Sequence, residues 1–109
     1  MTRLLLSAAA AQLLRSLVTR TGLGRDRIAV GRFRSVDWQS LTFIGERHEI
    51  SLRLLGPDAG SALATLRRDL ADAEWQLEGH VVADILIIRD CASDDGSILV
   101  ELEALTLSD

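Results

Sequence analysis

From Arg47 to Leu54 the chain alternates without a fault. His48, Ile50, Leu52 and Leu54 take one parity, and Arg47, Glu49, Ser51 and Arg53 take the other. A strand points successive side chains to opposite faces, so this segment has one face to bury and one to wet. A second strand of the same kind closes the chain, with Ile98, Val100, Leu102 and Ala104 inward and Glu101 and Glu103 opposite. Two strands that each need a cover on one side only require a sheet with its helices on a single face.

The helices follow a different period. Leu6, Ala10, Leu13, Leu14 and Leu17 recur at helical spacing, which predicts an amphipathic helix from Arg3 to Arg20 that stops near Gly22. The same stretch begins like an export signal, with Arg3, three leucines and an alanine run. Gln12 and Arg15 interrupt it and Leu13 to Val18 continue beyond, so a helix of the domain is preferred over a cleaved leader. No apolar run approaches the ~18 residues of a membrane span. Gly56-Pro57-Asp58 ends the alternating strand, and Asp58 is a good N-cap for a second helix with Leu63, Leu66, Leu70 and Ala73 as its stripe. Its end is set near Ala73, although Trp75 and Leu77 fit either more helix or a short strand.

Ile28 to Arg34 also alternates, which puts Ile28, Val30, Arg32 and Arg34 on one side and Ala29, Gly31 and Phe33 on the other. Asp37 to Ser40 reads as the turn into the strand that starts near Leu41. Val81 to Asp90 is apolar on both faces, the pattern of a central strand, and Ser93-Asp94-Asp95-Gly96 is a hairpin signal. Gly22-Leu23-Gly24-Arg25-Asp26-Arg27 lacks the third glycine of a dinucleotide turn and follows a helix, so it reads as a loop. The order is helix, strand, strand, helix, strand, strand. That is an α+β domain spanning residues 1–109, with a mainly antiparallel sheet and helices packed on one face.

The chain has 109 residues, 48% hydrophobic and 26% charged, enough for one folded core and too apolar for disorder. Its single cysteine, Cys91, excludes an internal disulfide. The net charge of −4 argues against a dedicated DNA-binding domain. That charge is unevenly spread. Residues 1–57 hold nine arginines against four carboxylates, and residues 58–109 hold three against twelve. A basic side that meets the acidic side of the next copy would make a head-to-tail contact, which builds a ring if the rotation closes.

Little in the sequence supports catalysis. His48, His80, Cys91, Asp84 and Asp90 are the only plausible metal ligands, and none stands at a tight ligand spacing. His48 has core parity, which predicts a hydrogen-bonded buried histidine. Cys91 follows Arg89-Asp90 at a strand end, with no helix start to lower its pKa. Glu101 and Glu103 read as a wet strand face rather than an acid–base pair, and the chain has no Tyr or Lys. No catalytic, cofactor or metal residue is assigned, and an enzyme is not expected. The candidate interface residues are Arg25, Arg27, Arg32 and Arg34, which with Arg20 form a basic patch opposed only by Asp26. Trp38 joins them, since an aromatic in a turn either caps its own core or projects into a partner. Asp94 and Asp95 are the acidic candidates, although the turn itself explains their type.

Several short runs, taken in order, resemble the small tail-terminator (tail-completion) proteins of long-tailed bacteriophages and gene transfer agents. They are Ala29-Val30-Gly31 through Asp37-Trp38 to Gly45-Glu46-Arg47-His48-Glu49-Ile50-Ser51-Leu52, then the alanine-rich helix from Ala62 to Ala73. Gly79-His80-Val81-Val82-Ala83-Asp84-Ile85, Asp94-Asp95-Gly96 and Glu103-Ala104-Leu105-Thr106 complete the set. Family members commonly carry an extra strand before the first hairpin, a stretch shortened here to Gly22 through Arg27. The resemblance implies a structural homo-oligomer, typically a hexameric ring, on the head-proximal end of the tail tube. Such a ring stops tube polymerisation and joins the tail to the head connector. Its partners would be the tail tube protein and a head-completion protein, with DNA only as passing cargo and no membrane or cofactor. It would assemble in the bacterial cytoplasm and remain in the tail of the particle. Two alternatives are a ferredoxin-like module that binds a small molecule in a concave apolar pocket, and a metal-dependent enzyme using His48, His80 and a carboxylate.

Overall fold

The two cleanly alternating segments lie side by side at the centre of one antiparallel sheet. In this computed structural model, which describes residues 6–72 and 75–108, they are β2 (Ile44–Leu54) and β5 (Ile98–Ser108). β1 (Ile28–Gln39) flanks β2, and β4 (His80–Ala92) flanks β5. A two-residue β3 (Gln76–Leu77) pairs with the start of β4, which gives the order β1-β2-β5-β4-β3. α1 (Ala8–Thr21) and α2 (Ala59–Asp72) complete the expected α+β architecture. β2 and β4 both run antiparallel to β5, so β2-α2-β4 is a split crossover with β5 inserted in the gap.

One face of the sheet is sealed. Ile50, Leu52 and Leu54 of β2 and Val100, Leu102 and Ala104 of β5 meet Leu13 and Leu17 of α1 and Ala59, Ala62 and Leu66 of α2. The buried stripe of α2 starts earlier than its leucines suggest, because Ala59 and Ala62 let the helix approach closely while Leu63 and Leu70 are only partly buried. α1 begins at Ala8, later than the sequence suggests. The hydroxyl of Ser7 caps it by accepting from the Ala10 amide at 3.1 Å, and the expected start at Arg3 lies outside the described residues. It ends at Gly22, whose φ of 72° suits a residue without a Cβ. α2 starts directly after Asp58, whose carbonyl accepts from the Ala62 amide at 2.9 Å. Trp75 and Leu77 do not continue α2; Leu77 belongs to β3.

Bulges decide which side chains face out. An irregularity at Gly31, between Val30 and Arg32, resets the parity of β1. Phe33 therefore lies opposite Ile50 on the helix side, while Arg32 and Arg34 turn to the open face with Ala29, the reverse of the simple alternation. Two more irregularities, at Ala83 and Ile88, do the same in β4. β4 is also not central, since beyond its first two pairs its outer edge has no neighbour among the described residues. Its second apolar face, with Leu86 and Ile88, is left half-exposed.

Gly45 fixes the close approach of β2 to β5. A Cβ there would sit 2.0 Å from the carbonyl oxygen of Thr106, a backbone atom that cannot swing away. Gly45→Ala is expected to cost roughly 2 kcal/mol or more, read as a lower urea midpoint. Arg68→Ala, at an exposed position of α2, should stay within about 0.5 kcal/mol of the parent.

Candidate functional site

The residues with chemical potential do not converge. His48 is fully buried, with Nδ1 2.7 Å from the Ser35 hydroxyl and Nε2 2.9 Å from the Thr106 hydroxyl. Its ring meets Phe33 edge-on, with centroids 5.8 Å apart. Both nitrogens are thus satisfied inside the core, as the parity predicted. Burial pushes its pKa below the ordinary value; His80 adds to the shift and Glu46 opposes it. Among the described residues no group of three His, Cys, Asp or Glu side chains is placed to hold a metal ion. Cys91 is exposed on β4, and Glu101 pairs with Arg89 at 3.0 Å on the open face.

The charged interface candidates are dispersed over three regions. Arg32 and Arg34 come together around Glu49, at 3.6 and 3.8 Å, on the open face. Arg25 and Arg27 lie in the 3-10 turn that leads into β1, with Arg27 folded against Gly56 and 3.8 Å from Asp26. Asp94 and Asp95 sit at the same end of the sheet but on the β4 side. There Asp95 accepts from the amide and hydroxyl of Ser97, at 2.9 and 2.7 Å, which lowers its pKa. Arg20, counted with the basic patch from sequence, is engaged inside the fold. It reaches Asp69 of α2 at 3.4 Å and lies 4.2 Å from the centroid of Trp75.

Trp38 is not in a turn. β1 continues to Gln39, and Trp38 sits half-buried on the open face opposite Gly45, with Leu107 and Val81 next across the sheet. This apolar row points away from both helices. Beyond Trp38, between the end of β1 and the start of β2, lies a hairpin tip that sequence reasoning missed. Leu41 is 107% exposed, Ile44 67% and Phe43 50%. The tip is nevertheless ordered, because the Ser40 hydroxyl accepts from the amides of Thr42 and Phe43 at 3.3 and 3.0 Å. A signal was available in the run Leu41-Thr42-Phe43-Ile44, too apolar for an ordinary loop. At the far end of β1, a groove of about 400 Å³ opens between α1 and the strand. Leu14, Val18, Ile28 and Val30 line it, with Arg15 and Arg25 exposed beside them.

The topology also sorts charge. β1 and β2 carry Arg32, Arg34, Arg47 and Arg53 against Asp37, Glu46 and Glu49, whereas β4 and β5 carry Asp84, Asp90, Glu101 and Glu103 against Arg89, so the sheet is mildly basic on one flank and acidic on the other. No family model, curated protein or solved structure matches the chain. Among the described residues no helix is long and apolar enough to cross a membrane.

The buried imidazole makes stability depend on pH. The unfolded chain takes up a proton at His48 near the ordinary value of 6.5, and the folded chain only at lower pH. Its contribution is therefore complete above that value and is lost as pH falls toward the folded pKa. Urea denaturation at about pH 7.5 and about pH 5.5 should show the parent losing more stability than His48→Gln.

Proposed function

We propose that this chain is a structural assembly protein that works as a closed ring of identical subunits. Following the resemblance of its sequence, we read it as a tail-terminator-like component of a long-tailed phage or gene transfer agent. The observation that carries this reading is the polarity of the sheet. A basic flank ends in β1, an acidic flank ends in β4, and both strands leave most of their outer edge unpaired among the described residues. Long open edges invite pairing with another chain and are normally shielded in a monomer. Opposite charges on opposite flanks favour the head-to-tail contact and oppose the symmetric one, since like flanks repel. The half-exposed Val36, Val81, Leu86 and Ile88 on the open face add apolar surface that a lone subunit has no use for.

In this role the ring is hexameric, caps the head-proximal end of the tail tube and presents its other side to the head connector. It acts by covering the growing face of the tube, so that no further subunit can add. An acidic flank turned toward the lumen would let DNA pass without adhering. The ferredoxin-like alternative shares the split crossover, and fold alone does not separate the two. The occupant separates them, since a regulatory module depends on a bound small molecule and the ring depends on copies of itself.

Light scattering after size exclusion should give a single species several times the 11.9 kDa subunit mass. It should shift toward monomer as salt rises from about 0.1 to about 1 M, where charge attraction is screened. A monomer at every concentration and salt level would refute the ring.

A further inference from the structure

The β1–β2 hairpin offers an ordered apolar tip that nothing else in the described chain covers, with Leu41 and Ile44 outermost. Directly beneath it Asp37 and Glu46 stand opposite each other in the register, an unfavourable pairing of like charges. Glu46 is partly relieved by the Ser7 hydroxyl, which donates to it at 2.7 Å, and Asp37 makes no ion pair among the described residues. The α1–β1 groove has the converse character. Its walls are Leu14, Val18, Ile28 and Val30, and the adjacent Arg15 and Arg25 make no ion pair among the described residues. Tip and groove lie at opposite ends of β1, roughly 35 Å apart at the rise of a strand. A subunit cannot fill its own groove with its own tip.

We infer that the hairpin tip of one copy seats in the α1–β1 groove of a second copy, with Asp37 and Glu46 of the first meeting Arg15 and Arg25 of the second. The inference rests on the ring reading and adds a second contact beside the one between opposite flanks, since tip and groove both belong to the β1 side of the sheet. Each copy has one tip and one groove, so the contact is heterologous and propagates until the rotation closes. Ser40 holds the tip in its docking conformation beforehand, which lowers the entropy cost of binding. Three side chains bury a few hundred Å² at most, well short of the ~1,200 Å² of a stable interface. The single contact is therefore weak, and closure of the ring supplies the remaining stability.

The experiment is directed cross-linking in a Cys91→Ser background. Leu41→Cys and Thr19→Cys are made as separate proteins, both at exposed positions, with Thr19 on the groove wall. Under mild oxidation the mixture should yield a disulfide-linked heterodimer, while neither variant alone should dimerise. Adding Arg15→Glu and Arg25→Glu to the groove partner should lower the yield roughly fivefold, and Asp37→Arg in the tip partner should restore part of it. Native mass spectrometry of the unmutated protein is run alongside. An oligomer without the heterodimer, or with Leu41→Cys linking to itself, overturns this contact and leaves the ring standing. A parent that is monomeric throughout overturns both.

Discussion

Everything distinctive about this chain follows from burying one face of a sheet and only one. β2 and β5 pair along almost their full length, and two helices of 14 residues each seal the side that carries Leu52, Leu54, Val100 and Leu102. Burial of that kind is the main driving force for folding, and here both helices are committed to the same side. The opposite side must take whatever remains. It holds arginines and glutamates in partial register, interrupted by half-exposed valine, leucine and isoleucine. A fold with a third layer would have hidden those residues; this one presents them.

The polar end of the core shows how the sealed layer is kept dry. His48 and Thr106 continue the apolar rows of β2 and β5, and the Ser35 hydroxyl completes the set. A neutral imidazole with both nitrogens bonded can be buried at modest cost, whereas a charged or half-satisfied ring cannot. Two further ties hold the layers together. The Gln12 side chain exchanges hydrogen bonds with the backbone of Glu78 at 2.6 and 3.0 Å, and Arg67 of α2 pairs with Asp90 of β4. These join α1 and α2 to the β4 flank, beside the packing of Val82, Ile85 and Ile87 against the core.

The sequence revealed the central layer well because β2 and β5 contain no bulge. Their parity survives from end to end, so His48, Glu101 and Glu103 fall on the faces assigned to them. Where the backbone carries an extra residue, parity misleads. Gly31 reverses the sides of Arg32 and Phe33, and the break hides the fact that β1 runs on through Trp38 to Gln39. β4 resembled a central strand because it is apolar on both faces, with Val82, Ile85 and Ile87 on the core and Val81, Leu86 and Ile88 left half-exposed on the other side. Arg20 was counted as a surface cation because helical periodicity does not report that Asp69 and Trp75 wait across the helix pair. The candidate interface residues were legible as charges but not as a patch, since their grouping depends on strand order, which no local pattern encodes.

The central claim is that the β1–β2 hairpin is an attachment device built for another copy of this chain. Amide hydrogen exchange followed as a function of protein concentration tests it most directly. The account predicts that on going from dilute to concentrated protein two separate segments gain protection together, residues 38–45 at the tip and residues 14–30 around the groove. Exchange in both segments that is the same at every concentration would contradict it.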